Sequence, residues 1–442
     1  MRVLWIATKS PWPPRDGGRL LLTESLRAVS AAGVAVTLVA PVERGERAAA
    51  EEALRAVCEP RLVVARQRPR ALAALTSVLS GRPYSLARHD RPTVLRAVER
   101  ELRESARAGG IHFDAVVAEQ LQAFAQSAAA ERSSDLPGAR PVPRILRAQN
   151  VESDLWRQLG EASRGVVRAL LLREAARLAR AERAAVGAAA ATIALSAADG
   201  ERLCALAGPA QGSERIDARI QSHIHARIHA NIQVLPPPFP GRLDAAGQRL
   251  AGSPALVLFG SAGWEPNRRG ELRFVNEIWP RVRAASPTAA LHWFAGSAGP
   301  GGSSGASGVG HPDHPGVLVH RSPATSAEAF APGAILVLPL DIASGVRMRV
   351  LEAWARGVVM VASPEAASGL DAADGRELLL ARSGPDYAQA IARLATDGGL
   401  AGRLIAGGRA RLASDHAPER FAAGFVALVA QLAERPAGAV RQ

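Results

Sequence analysis

Short apolar runs alternate along this chain with longer stretches whose apolar positions recur every third or fourth residue. The runs predict buried strands and the stretches predict amphipathic helices, so the chain reads as α/β. Arg2–Ala7 is the first strand. Its exit loop, Thr8–Arg19, carries prolines and then Gly17-Gly18, and Leu22, Leu26 and Val29 mark a helix over Leu20–Ala32. Gly33 ends that helix and Val34–Ala40 is the next strand. Glu43–Ala65 predicts a polar helix followed by a strand at Leu62–Ala65. Arg66–Ala108 predicts helix interrupted around Gly81-Arg82-Pro83. Phe113–Ala118, Arg144–Ala148 and Thr192–Leu195 are further strands, with one long helix over Leu155–Ala189. Ser196 is expected to cap the helix after them. Val234-Leu235-Pro236-Pro237-Pro238 then reads as a strand end and a semi-rigid linker.

Beyond the linker the pattern restarts. Ala255–Phe259, Ala290–Ala295, Val317–His320, Ile335–Pro339 and Val358–Ala362 predict strands. Glu271–Ala285, Ala324–Ala331 and a segment from near Val346 to Gly357 predict helices, and Ala388–Leu432 reads as mostly helical. The expected organisation is two Rossmann-like doubly wound domains, 1–238 and 239–415, with a C-terminal helix in 416–442 packing back across them.

Polar residues gather where strands end. After Ile335–Pro339 comes the turn Asp341–Gly345, then a helix whose first turn holds Arg347 and Arg349. Cations are unfavourable at the positive end of a helix, and free N–H groups there suit a phosphate. Two arginines at that end predict an anion. Phe113–Ala118 delivers Glu119 and Gln120 to a sheet edge, where Glu119 serves either polar work in a cleft or helix capping. Arg144–Ala148 delivers Gln149, Asn150, Glu152 and Ser153, more polar groups than a turn needs. The Pro-Pro-Arg-Asp-Gly-Gly loop around Asp16 lacks the GxGxxG spacing of a dinucleotide fingerprint. It is either an ordinary turn or a backbone cradle for an acceptor or phosphate.

Composition narrows the partners. The net charge is +13, from 54 basic and 41 acidic residues. The basic residues are nearly all arginine and are dispersed without interleaved aromatics, which argues against a nucleic-acid partner and leaves contact with an anionic membrane surface. Cys58 and Cys204 suggest neither a disulfide framework nor a zinc site. No signal peptide precedes the first strand and no apolar stretch is long enough to span a bilayer, so a cytoplasmic location is expected. Gly208–Gln233 carries an isoleucine every fourth residue and His225 and His229 at helical spacing. No carboxylate or cysteine completes a metal site there.

At the residue level the chain resembles the family 4 glycosyltransferases, closest to sugar transferases of bacterial exopolysaccharide clusters. The resemblance rests on SPWPPRDGGR, QNVESDLWR, GSAGWEPNRRG, and GVRMRVLEAWARG with ASPEAASGLDA, in this order. It implies a GT-B fold with an interdomain cleft. It also implies retaining transfer of a sugar from a nucleotide-sugar to a lipid-linked or polysaccharide acceptor, without a DxD-bound metal or a cofactor. Glu352 would hold the nucleotide ribose. Ser344, Gly345 and Val346 with Arg347 and Arg349 would hold the diphosphate, joined by Arg268 or Arg269 and by Gly17 and Gly18. Arg349 and Glu119 are the expected catalytic groups, and Asp16, Gln149, Asn150 and Glu152 the acceptor side. Departures are also visible. The first of the family's two glutamates eight positions apart falls at Ser344. The histidines often found at Gln149 and near Glu119 are missing, and Val359 replaces a usual proline. Two further readings are a catalytically silent GT-B binding module and a sugar-nucleotide epimerase.

Overall fold

The computed structural model describes residues 1–106, 112–133, 142–208, 231–244, 248–260, 265–295, 314–321 and 326–434. Most of the Ile/His stretch and all of the Gly/Ser-rich run Gly296–Gly310 lie outside the described residues. The chain divides into two compact units. The first comprises Met1–Pro13, Leu21–Pro238 and Pro418–Gln442, and the second comprises Pro14–Leu20 and Phe239–Ala417.

The first unit holds a seven-stranded sheet of β1 (Arg2–Ile6), β2 (Ala35–Val42), β3 (Glu59–Val64), β4 (Ala115–Glu119), β5 (Arg144–Ala148), β6 (Ala191–Ala194) and β7 (Ile232–Val234). Their order is β3-β2-β1-β4-β5-β6-β7, and every pair is parallel. Successive side chains of a strand point to opposite faces, so β1 feeds two cores. Val3 and Trp5 join Leu26, Leu38 and Phe425 on one face, while Leu4 and Ile6 join Val98, Phe124 and Leu146 on the other. Both faces are covered, which is why these strands read as unbroken apolar runs. Phe425 comes from the helix Pro418–Glu434 and stacks on Trp5 with ring centroids 5.6 Å apart. Complete burial of such a ring is worth about 2–3 kcal/mol.

The second unit repeats the plan with β8 (Ala255–Phe259), β9 (Ala290–Phe294), β10 (Val317–His320), β11 (Ile335–Leu338), β12 (Val359–Ala362) and β13 (Leu379–Leu380). The order is β10-β9-β8-β11-β12-β13, again parallel throughout. In each unit the winding reverses once, between β1 and β4 and between β8 and β11. The crevice outside the carboxyl ends of those strand pairs is where open α/β sheets bind ligands.

Several elements differ from the sequence-based expectation. The long helix over Leu155–Ala189 is two helices, Glu152–Glu161 and Gly165–Ala188. Gly165 has a φ of +58°, which a continuing helix cannot adopt. The two helices then cross so closely that a Cβ on Gly160 would lie 2.8 Å from Leu172 Cδ2. Arg66–Ala108 breaks twice, giving Arg70–Ser80, Tyr84–His89 and Pro92–Ala106, because Pro92 starts a new helix as Pro83 does. The segment predicted from Val346 becomes helical only at Met348.

Candidate functional site

At the reversal point of the second unit, Leu338 leads through Pro339 and Leu340 to the turn 341–346. Gly345 takes a φ of +76°, a left-handed conformation in which other residues are strained. The turn brings the helix Met348–Arg356 back against the sheet, and the left-handed Gly357 ends it. Its N-cap, Arg347, makes no side-chain capping bond. The first-turn N–H groups therefore receive no acceptor from the N-cap side chain.

The arginines behave differently from the simple expectation that both face an anion. The Arg347 guanidinium folds back and donates to the carbonyls of Ser344 and Gly345. Arg349 reaches across the reversal point, donates to the Phe259 carbonyl at the end of β8, and lies 4.1 Å from the centre of the Phe259 ring. Burial disfavours its charge, while Glu271 and Glu352 favour it. Glu271 receives the Trp293 indole N–H at 3.1 Å. Burial pushes its carboxyl up, and the Trp293 bond and the Arg349 charge pull it back. Glu352 is buried on the next turn of the helix, where Oε1 accepts from Ser326 Oγ at 2.5 Å and Arg356 Nε at 3.0 Å. Ser344, in the turn, is 1 % exposed.

Arg268 is exposed and makes a two-pronged pair with Glu265 at 2.9 Å on its own helix. Arg269 and Arg273 approach Asp341, at 3.6 and 3.4 Å. That helix touches the exit of β11 so closely that a Cβ on Gly270 would sit 2.3 Å from the Pro339 carbonyl oxygen. The segment Pro14–Leu20 belongs to this same unit. Asp16 accepts from Arg19 N at 3.0 Å and caps the helix Gly17–Ala31, and a Cβ on Gly17 would lie 3.6 Å from Met348 Cβ. Gly18 follows in its first turn. The second unit thus gathers Gly17, Gly18, Ser344, Gly345, Val346, Arg347, Arg349 and Glu352 around one helix start.

The reversal point of the first unit carries a separate polar network. Glu119, 1 % exposed at the end of β4, accepts from Trp5 Nε1 at 2.9 Å, Arg147 at 2.5 Å and Gln149 Nε2 at 2.8 Å. Arg147 is fully buried, also donates to Ser25 Oγ at 2.8 Å, and lies near the Trp5 and Phe421 rings. With three donors on it, Glu119 is engaged in holding β1, β4 and β5 together. Gln149 passes the chain on to Gln120, whose backbone has a φ of +71°. A non-glycine residue held there marks a constrained strand exit. Asn150 Oδ1 is buried without a hydrogen-bond partner among the described residues. Glu152 points inward and accepts from Gln122 at 2.6 Å and Ser85 Oγ at 3.0 Å. Burial pushes its carboxyl up.

Arg147, Glu182 and Glu271 were not singled out from sequence. Arg147 sits inside an apolar strand, and a charge in a buried run is the signal that could have found it. Glu182 and Glu271 look like solvated helix residues until the fold is known. Among the described residues no group of three or more His, Cys, Asp or Glu side chains is placed to hold a metal ion. No helix among them is long and apolar enough to cross a membrane.

Two parallel sheets, each with one winding reversal, have the GT-B fold. Residues 253–397 match the family model described as Glycosyl transferases group 1. Over the whole chain the fold is similar to HepE of Anabaena, solved in complex with UDP-glucose, at 12% identity and a TM-score of 0.60, covering 98% of this chain and 100% of that one. Sucrose-phosphate synthase from Thermosynechococcus elongatus is similar at 14% identity and a TM-score of 0.60, covering 98% and 99%. A glycosyltransferase from Rickettsia africae is similar at 8% identity and a TM-score of 0.57, covering 98% and 99%. No curated protein matches the sequence. The glycosyltransferase resemblance and the GT-B fold expected from sequence are both found.

Proposed function

We propose that the protein is a retaining, metal-independent glycosyltransferase of the family 4 type. It would move a sugar from a nucleotide-sugar to a lipid-linked or polysaccharide acceptor, in exopolysaccharide or other cell-surface glycan synthesis at the inner membrane surface. The observation that carries this reading is the start of the helix Met348–Arg356. Its N-cap side chain makes no capping bond, it follows a left-handed glycine, it holds a buried glutamate on its second turn, and it lies within the segment that matches the family model. The binding of UDP-glucose by HepE supports a nucleotide-sugar donor. The N–H groups of Gly345 to Arg349 would take the diphosphate, and Glu352 would take the ribose. Departure of the nucleoside diphosphate builds negative charge, and Arg349 with the helix amides would stabilise it. Arg268 would exchange Glu265 for the phosphate. On the first unit, Asn150 Oδ1 offers an acceptor-side contact, with Gln149 and Glu152 setting the loop and Glu119 bracing it. Asp16 would hold the Gly17-Gly18 turn beside Met348.

Calorimetry with UDP and GDP, followed by nucleoside diphosphate release over a panel of donors with acceptor lipid present, tests this reading. Release abolished in Arg349→Ala and weakened in Glu352→Gln is the expected outcome. Weak or absent nucleotide binding, with no release from any donor, would favour a silent GT-B module instead, the reading that Ser344 in place of the first glutamate supports.

A further inference from the structure

The helix Arg70–Ser80 is turned inside out relative to an ordinary surface helix. Its buried positions are the small residues Ala73 and Ser77. Its outward face carries Leu72, Leu75, Val78 and Leu79, the last two 71% and 78% exposed. Surface helices normally point such residues at the core, and contiguous apolar faces of this kind mark an interaction site.

A second helix extends the face. In Gly165–Ala188, Arg177 donates to Ser77 Oγ at 3.3 Å, and Glu174 accepts from the Tyr84 backbone N–H. Residues three, four and seven apart share one side of a helix. The side that grips Ser77 and Tyr84 therefore runs on toward the N-terminus as Leu170, Val167 and Val166, all exposed. Both helices lie in the first unit.

The charge around this face is mostly positive, with Asp90 and Glu161 among the nearby carboxylates. Neither 66–88 nor 162–173 contains a carboxylate, while Arg66, Arg70 and Arg164 stand exposed at or just before the helix starts and Arg173 stands exposed in the third turn of Gly165–Ala188. Arg68 and Arg82 are partly balanced by Asp90, at 3.7 and 3.2 Å. Apolar side chains flanked by arginines match the acyl boundary and phosphate headgroups of an anionic bilayer. A second copy of the chain would bring the same arginine rim against itself in a two-fold contact.

We infer that the outward faces of Arg70–Ser80 and of the first turns of Gly165–Ala188 form a docking surface for an anionic lipid bilayer. This deepens the membrane-surface part of the function proposed above. It is independent of sugar transfer, because vesicle binding is read without nucleotide. Failure of one therefore leaves the other intact.

The full chain is tested by flotation with vesicles of phosphatidylcholine alone and with vesicles containing phosphatidylglycerol. Binding to the anionic vesicles, weakened by salt, is expected, with little binding to the neutral ones. The double variant Leu75→Glu, Leu79→Glu and the double variant Arg66→Gln, Arg70→Gln should each lower the partition constant by on the order of tenfold or more. All four side chains are exposed, so unchanged circular dichroism and nucleotide affinity are expected alongside. Equal binding to both vesicle types, absence of binding, or binding unaffected by Leu75→Glu, Leu79→Glu would overturn the inference. A dimer in size-exclusion chromatography that this variant dissociates would overturn it too, by assigning the face to a second copy.

Discussion

Glu182 offers a test whose sign can be worked out. It lies on the helix Gly165–Ala188, is 4% exposed, and caps the preceding helix from the side. Its carboxylate accepts from Glu152 N at 2.6 Å, from Ser153 N at 3.3 Å and from the Ser153 hydroxyl. Burial pushes its carboxyl up to about 7 from an ordinary 4.5, with the Glu152 charge adding to the rise and the Ser153 and backbone bonds opposing it. Between those two values the folded protein keeps a proton that the unfolded chain has released. Stability should therefore fall as pH rises from about 4.5 to about 7, and level off above. The full interval corresponds to about 3 kcal/mol. Glu182→Gln stays neutral throughout, so the stability of the variant relative to the native protein should rise by about this amount between pH 5 and pH 8. The exchanged amide offers one acceptor oxygen instead of two, which costs about 1 kcal/mol at every pH. Urea unfolding followed by circular dichroism at a series of pH values measures the difference. A shallower slope of the same sign remains in the variant, because burial also pushes up Glu152 and Glu174. A native-minus-variant difference that is constant from pH 5 to pH 8 would refute the assignment of this ionisation to Glu182.

Two further outcomes follow from the same geometry. Arg147→Ala leaves the buried Glu119 carboxylate without its ion-pair partner and should cost about 3–5 kcal/mol in urea unfolding; a loss below about 1 kcal/mol would mean that Glu119 is not held as a charge. Gly345→Ala forces a side chain into a left-handed turn, at about 1–2 kcal/mol, and should weaken UDP binding in calorimetry; unchanged affinity would separate this turn from the donor site.

The strands were the most legible part of the chain. A parallel sheet covered on both faces leaves its sequence as apolar runs between polar exits, and FDAVVA or ILVLP can hardly be anything else. The exits were legible for the same reason, since polar residues following such runs land at the carboxyl edge. Helix boundaries were less so. The break after Glu161 has no proline, and its one cue, Gly165, sits in an arginine- and alanine-rich stretch that otherwise continues the helical pattern. The side-chain network at Glu119 was half visible. The carboxylate could be placed at a strand end, but its three donors come from β1, β5 and the loop after β5, which only tertiary pairing brings together.

The misplaced arginines show where reading by position stops. Arg347 and Arg349 sit at the positive end of a helix, and an expected anion is one resolution of that conflict. The fold supplies another: both guanidinium groups find carbonyl oxygens, Arg347 in its own turn and Arg349 at the end of β8. Those bonds neutralise dipoles at the strand ends without capping the helix. The arginines therefore rigidify the turn, while the N-cap side chain makes no capping bond. Under the proposed function a diphosphate would meet backbone donors of this turn, with the Arg347 and Arg349 guanidinium groups already held by carbonyls. The same rigidity bears on Ser344. At 1% exposure it is buried in the turn, and its carbonyl accepts from the Arg347 guanidinium. A glutamate there would have to place a longer, charged side chain at a position that is 1% exposed. The Ser344 carbonyl and the folded-back arginine form one local arrangement, and under the proposed function a donor-sugar contact of the kind a glutamate makes would have to come from a different side chain.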